Sequence, residues 1–315
     1  MPSSYQPVPR VSGRPHYPPE LVDRSKALFA GTLDLMGGAA AVAPLARMVA
    51  ARFPAHFERA TEAAGVVGVD PLDLFTAHLC YDALLGSGGM GCSTLALAGP
   101  AGPVLARNMD WVPEAAVARA SCLVDEEFGT NAGFLGLVGA VTGLSRRGFA
   151  VALNAAFGGA DMTGYPMLLF LRHVLDTAAD FREALAMAKA ERLMAAGIIT
   201  LVGTADDERA VVERTPTRAA VRMPKGDEPL AATNHHRALA RPELCPRYDH
   251  LIAHAGRQPP LEVLTHPGVL QTITAQHVVF CPATQAAEMY VPTRLLAAGV
   301  GTGYTRDELR GLFTG

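Results

Sequence analysis

The sequence predicts an α+β protein built from antiparallel hairpins and helices, not from alternating βαβ units. Three observations carry this. Residues 19–85 read as helices with no strand between them; the stretches that follow are short apolar strands separated by Gly/Pro turns; and a pair of amphipathic helices divides those hairpins into two groups. At 315 residues and 50% apolar composition, the chain is long enough for one large domain or two small ones. No internal repeat is visible.

The chain opens on a proline-rich lead, MPSSYQPVPRVSGRPHYPPE, with no apolar core of the kind a secretory signal needs. No run of eighteen apolar residues follows, so a transmembrane helix is not expected, and the location expected is cytoplasmic. The formal net charge is −3, with no basic block and a single Trp, which makes nucleic acid an unexpected partner. Five cysteines, an odd number without CxxC spacing, argue against a disulfide framework and a zinc ribbon.

Leu21, Leu28, Phe29, Leu33 and Leu35 fall at helical spacing, Val42 to Phe53 continue the pattern, and Asp70-Pro71 starts a helix before Leu72 to Leu85. Glycine then becomes dense from 86 to 91, which reads as a flexible segment. Cys92 follows directly. Ser93 to Ala98 is a short strand, Gly99 to Pro103 a turn, and the next strand ends in Arg107-Asn108-Met109-Asp110-Trp111. If Ala98 pairs with Val104, Cys92 falls opposite Asp110 and the thiol and carboxylate share a face; Arg107 then needs a bulge near Asn108 to join them.

Gly133 to Leu144 and Phe149 to Ala155 form a second β-rich pair. Helices are predicted at Tyr165 to Thr177 and Asp180 to Leu193, with Asp180 as N-cap. Strands follow at Gly197 to Gly203, Ala210 to Arg214, Ala219 to Met223 and Leu230 to Asn234. A short helix spans Tyr248 to His254, and the last strands are Gln276 to Cys281 and Glu288 to Val291.

At the Gly-rich run, Cys92-Ser93-Thr94 and the Arg-Asn-x-Asp segment, the chain resembles the N-terminal-nucleophile amide hydrolases that use cysteine. It is most similar to the branch holding acid ceramidase, the N-acylethanolamine acid amidases and the penicillin acyltransferase-type enzymes, and more distantly to bile-salt hydrolases. The resemblance runs from about Tyr81 to Val291. It implies a four-layer αββα sandwich of two antiparallel sheets, preceded by a helical prosegment. It also implies self-cleavage between Gly91 and Cys92, dividing residues 1–91, kept as a small subunit, from a catalytic domain, 92–315. Where such enzymes usually carry Cys-Thr-Ser, this chain carries Cys92-Ser93-Thr94, a swap of the two hydroxyl residues.

Chemically, a freed Cys92 places an α-amine, with a reference pKa of about 8, beside a thiol, so nucleophile and base come already paired. Asp110 can hold that amine and Arg107 favours the thiolate. Taken without Cys92, those two residues could equally be a surface ion pair. The oxyanion of acyl transfer needs donors. Asn154, ending an apolar strand, matches the region where the resemblance places a backbone donor, and Asn234, in Thr233-Asn234, resembles the amide that completes the oxyanion hole. An Asn after a strand also starts turns. The Glu that acid ceramidase-like members carry near Asn154 is replaced here by Ala155 and Ala156. Arg247 resembles the Arg that orients the pocket in the family; its plain alternative is a solvated residue at a helix start.

His235-His236 are adjacent and His250 and His254 are spaced i, i+4, but no Glu follows His250 as a zinc protease motif requires, so no metal is expected. No GxGxxG or phosphate-loop pattern supports a cofactor. The function expected is a self-processed cysteine amidase acting on an N-acylated small molecule. The alternatives are an acyltransferase passing the acyl group to an amine, an unprocessed binding protein on the same fold, and a metal binder using the histidines.

Overall fold

The structure, a computed structural model, describes residues 4–12, 17–84 and 90–297. Gly86 to Gly89 of the glycine-rich run, read above as flexible, lie outside the described residues. The chain begins with two three-residue strands, β1 (Tyr5–Pro7) and β2 (Arg10–Ser12). Helices α1 (Pro19–Leu35), α2 (Ala39–Arg52), α3 (Pro54–Val67), α4 (Pro71–Ala77) and α5 (Cys80–Leu84) follow, where helical periodicity predicts them. Asp70 caps α4 by accepting from the Leu72 and Asp73 amides.

The hairpin comes next, β3 (Met90–Leu97) and β4 (Val104–Trp111), then α6 (Glu114–Ala120), β5 (Ser121–Asp125), β6 (Gly129–Phe134), β7 (Thr142–Ser145) and β8 (Phe149–Ala160). The stretch predicted as one strand, 133–144, is instead the end of β6, a turn and the start of β7. Helices α7 (Met167–Thr177) and α8 (Phe181–Ala190) form the expected pair, and Asp180 caps α8 through the Glu183 amide. The remainder is β9 (Ala195–Val202), β10 (Arg209–Arg214), β11 (Ala219–Arg222), β12 (Leu230–Ala232), α9 (Pro246–His254), α10 (Pro260–Leu264), β13 (Thr274–Cys281), β14 (Ala286–Pro292) and α11 (Thr293–Ala297).

Among the described residues these strands make two sheets, six strands in the order β1-β14-β13-β4-β3-β12 and eight in the order β11-β10-β9-β8-β7-β6-β5-β2. Period-two alternation sorts their side chains. Ala96 and Leu105 of the smaller sheet meet Leu144, Ala150, Ala152 and Ile198 of the larger one in the central core. Leu95, Leu97, Ala106 and Ala231 point the other way, onto Leu251, Val263 and Leu264 of α9 and α10. On the far side of the larger sheet, Phe149, Val151 and Leu153 pack with Phe170, Leu171 and Leu175 of α7. Helices, sheet, sheet and helices thus make four layers, the architecture the resemblance implies.

The residues before Cys92 do not form a detached lobe. β1 pairs with β14 and β2 runs parallel to β5, so the proline-rich lead contributes an edge strand to each sheet. Prolines suit such edges because they lack an amide donor.

Candidate active site

The hairpin register decides which residues meet. Leu97 pairs with Val104, so Cys92 lies opposite Met109 and Gly91 opposite Asp110, one residue away from the expected pairing. The turn includes Ala98, and Gly102 takes φ +107 there with no room for a Cβ against Ala283. The consequence is larger than one residue suggests, because a single step exchanges the faces of a strand. Cys92, Thr94, Arg107 and Met109 point inward between the sheets, and Ser93, Asn108 and Asp110 point outward. Arg107 therefore reaches the thiol without the bulge near Asn108 that the sequence called for, and Asp110 does not share the thiol's face.

Arg107 is fully buried and its guanidinium is held on three sides. Nη1 donates to Thr142 Oγ1 at 3.0 Å, and Nη2 donates to the Leu153 carbonyl and to Cys92 Sγ, each at 2.8 Å. The Cys92 backbone lies just past the end of a ladder. β12 pairs with β3 only as far as Ala232 opposite Thr94, so the next amide and carbonyl of β3 need other partners. Side chains supply them: Cys92 N–H donates to Asn234 Oδ1 at 3.3 Å, and Arg247 Nη1 donates to the Cys92 carbonyl at 3.4 Å.

Arg247, in the first turn of α9, ties the outer face to this edge. It donates to Asn234 Oδ1 at 2.8 Å, to Ser93 Oγ at 3.3 Å and to Asp110 Oδ2 at 3.3 Å. Asp110 Oδ1 also accepts from Thr274 Oγ1 at 2.6 Å. Five of the six residues chosen from sequence are thus linked in one network through Cys92. Asn154 is close but committed elsewhere. Its amide donates to the Ala232 and Thr233 carbonyls and its oxygen accepts from Thr94 Oγ1, so the side chain is a strut between the sheets and not a free donor. The Asn234 amide likewise donates to the Ala155 carbonyl at 2.9 Å, so in the intact chain it is not free to meet an oxyanion.

Burial pushes the Cys92 thiol above its ordinary range; the Arg107 guanidinium and the Asp110 and Ala155 amides pull it back, and the Asp110 carboxylate opposes them. Burial also raises the Asp110 carboxyl, against the pull of Arg247, Thr274 and Arg107. Both shifts favour the neutral form of the group they act on.

Sequence reasoning missed Thr142, Thr274 and Tyr81, each brought in from a distant element. Tyr81 of α5 is buried, donates to the Ala196 carbonyl at 2.8 Å and feels the charges of Cys92 and Arg107. No spacing signal could have found it, because the contact spans β9 and the hairpin at once. All five cysteines are free and buried.

The histidines sit apart. His250 stacks on His266 and packs against His254, with ring centroids 3.9 and 4.2 Å apart, and near-parallel rings do not aim their nitrogens at one point. Among the described residues no group of three or more His, Cys, Asp or Glu is arranged to hold a metal ion. No single described helix is long and apolar enough to cross a membrane.

The sequence profile of the acyl-coenzyme A:6-aminopenicillanic acid acyl-transferase family matches residues 97–258. That is about half of the chain, and it holds Arg107, Asp110, Asn154, Asn234 and Arg247. The chain belongs to this family. Cys92 lies just before the start of the match, so membership rests on the motif after the thiol and not on the thiol itself. Among solved structures, the fold is similar to that of a Caenorhabditis elegans N-acylethanolamine-hydrolyzing acid amidase (NAAA) ortholog, at 21% identity and a TM-score of 0.52, over 61% of this chain and 93% of that one. No curated protein matches this sequence.

Proposed function

We propose that the chain is a self-processing amidase whose nucleophile is Cys92 and whose substrate is an N-acylated small molecule. The observation that carries this reading is the inward thiol, 2.8 Å from a buried Arg107, on a residue whose backbone amide and carbonyl are held by side chains at a strand edge. A structural cysteine needs neither the guanidinium nor the edge.

In processing, Cys92 Sγ attacks the Gly91 carbonyl carbon, the carbon–sulfur bond forms, the Gly91–Cys92 amide bond breaks and the thiol proton passes to the departing nitrogen. Water then hydrolyses the thioester, leaving a Gly91 carboxylate and a free Cys92 amine and thiol. Asn234 Oδ1, already the acceptor of that nitrogen's hydrogen, keeps the new amine in place, with Asp110 and Arg247 behind it. Residues 1–91 stay bound, since β1 and β2 are woven into both sheets and Tyr81 packs beside the site.

In turnover the amine takes the thiol proton, sulfur attacks the substrate amide, and the leaving amine collects the proton as the acyl-enzyme forms. The Ala155 amide, aimed at Sγ, serves as the oxyanion donor in the place where Asn154 was expected, while Asn234 keeps its oxygen on the Cys92 nitrogen. The nematode enzyme's title concerns an acyl group on nitrogen, and the family's description an acyl group passed from coenzyme A to 6-aminopenicillanic acid, which together support acyl chemistry at an amide.

Release by water makes the enzyme an amidase; release by an amine makes it an acyltransferase, the reading that the family's description favours. One experiment tests both. The protein is incubated with N-acyl amides, quenched in acid and digested, and the peptide beginning at Cys92 is weighed. An added acyl mass on that peptide, absent in Cys92→Ala, is the expected result; a competing amine that diverts the product marks the transferase. Turnover by Cys92→Ala at the wild-type rate would refute the proposal.

A further inference from the structure

The end of β8 meets Cys92 along one edge and a tyrosine along the other. On the first edge its partner, β7, stops at Thr142 opposite Ala152, with a last bond from the Leu153 amide to the Val141 carbonyl. Beyond that point the backbone groups of this edge turn to the site. The Leu153 carbonyl accepts from Arg107 at 2.8 Å, the Ala155 amide faces Cys92 Sγ, and the Ala155 carbonyl accepts from the Asn234 amide at 2.9 Å.

The other edge runs along β9 until Ala155 stands opposite Gly197, and there the ladder opens. Pairing resumes only at Ala160 opposite Ala195, so residues 156–159 bulge out against Ala196 alone. Ala156 and Ala196 are both buried, so the amide of one and the carbonyl of the other need partners from the protein. Tyr81 supplies both. Its hydroxyl donates to the Ala196 carbonyl at 2.8 Å and accepts from the Ala156 amide, a side-chain rung where the two strands part.

The surroundings of that hydroxyl are close-fitting. A Cβ on Gly197 would lie 2.9 Å from Tyr81 Oη, 2.9 Å from Met167 Cε and 3.1 Å from Leu153 Cδ1, so glycine is what leaves room. Next along α5, both carboxylate oxygens of Asp82 accept from the Met167 amide, at 3.1 and 3.2 Å, which fixes this helix on the first turn of α7. The phenol is thus set from its own helix as well as from the sheet.

We propose that Tyr81 is a positioning residue of the amidase: its hydroxyl fixes the bulged end of β8 so that the Ala155 amide stays aimed at the oxyanion formed on Cys92. The proposal rests on the amidase reading. The peptide plane between Ala155 and Ala156 is held at both ends, its carbonyl by Asn234 and its N–H by Tyr81. Because that unit is planar, releasing one end lets the whole plane turn, and the Ala155 amide is the next group along the chain. Tyr81 precedes the proposed cleavage point, so the fragment ending at Gly91 carries a residue that the other fragment's site needs.

Tyr81→Phe keeps the ring and removes the rung. With N-acyl aminomethylcoumarin amides, kcat should fall by about 10-fold or more while KM stays within about 2-fold of wild type, since the lost alignment matters to the oxyanion and not to the bound amide. Two reagents separate this from general damage. Cys92 Sγ attacks an alkyl aldehyde, the carbon–sulfur bond forms, and the carbonyl oxygen takes the charge before gaining the thiol proton; the inhibition constant should rise by about 10-fold or more. Iodoacetamide alkylates the same sulfur with loss of iodide and no oxyanion, and its rate should stay within about 2-fold of wild type. Gly197→Ala, which crowds the hydroxyl while leaving Tyr81 in place, should move the same quantities in the same direction.

Turnover and aldehyde inhibition within about 2-fold of wild type in both variants would overturn the proposal, as would alkylation slowed by the same factor as turnover. Amide hydrogen exchange gives a readout that needs no substrate. Peptides covering residues 154–160 should exchange faster in Tyr81→Phe than in wild type, and unchanged exchange there would also overturn the proposal. If the wild type hydrolyses none of the amides while that exchange quickens, the amidase reading falls and the hold of Tyr81 on the bulge stands. Hydrolysis with an unmoved kcat leaves the amidase and removes the positioning role.

Discussion

The two faces of the β3–β4 hairpin carry the same four-residue motif to different ends. Arg107 and Met109 look inward, one onto the Cys92 thiol and the other into an apolar cavity. Asn108 and Asp110 look outward and hold things still: Asn108 donates to the Leu264 carbonyl and meets His277 Nδ1 at 2.7 Å, and Asp110 is tied to Thr274 and Arg247. Alternation in a strand has sent half of the motif toward the thiol and half into the packing behind it. Substitutions on the two faces should therefore fail in different ways, the inner ones by losing turnover in a folded protein and the outer ones by losing stability.

The largest separation is expected at Arg107. Arg107→Lys keeps a charge but loses the fork that spans Thr142, Leu153 and the thiol, and kcat/KM should fall by about 100-fold or more while the far-ultraviolet spectrum is retained. Asn108→Ala should do the reverse. It strands the Leu264 carbonyl and the His277 ring in a buried site, so unfolding in urea should show a loss of about 1–3 kcal/mol, with turnover per folded molecule within about 3-fold of wild type. Asp70→Ala removes the α4 cap and should cost about 1 kcal/mol with turnover per folded molecule unchanged.

The smallest effect is one of pH. The Asp110 carboxyl is raised above its ordinary range, so the stability it confers is present at low pH and lost as pH rises through its folded-state pKa. Asp110→Asn should therefore melt closer to wild type near pH 4 and gain on it toward pH 8. An Asp110→Asn protein that falls further behind wild type as pH rises would mean that the pair with Arg247 outweighs burial.

Much of this was legible in the chain itself. The Gly99–Pro103 turn announces the hairpin, Asp70 and Asp180 announce their helices, and helical spacing between 19 and 85 predicts the helices described there. What escaped depends on long-range pairing. β1 and β2 are three residues each, and their partners lie far along the chain; α6 and β5 sit where no strong period marks them. The register slipped by one because a Gly/Pro-rich turn does not say whether Ala98 belongs to strand or loop. That slip exchanged the faces, and with them the reason Arg107 reaches the thiol. Thr142, Thr274 and Tyr81 were given no role in the site, since each joins it only when separate elements pack.

The measurement that bears most directly on the account is the intact mass of the purified protein, beside Cys92→Ala, after incubation at mildly acidic and neutral pH. The account predicts that the wild type splits between Gly91 and Cys92 into two pieces that co-elute under native conditions, while the variant stays whole. Splitting of the variant at the same bond, or a wild type that turns over substrate while remaining one unbroken chain, would contradict it.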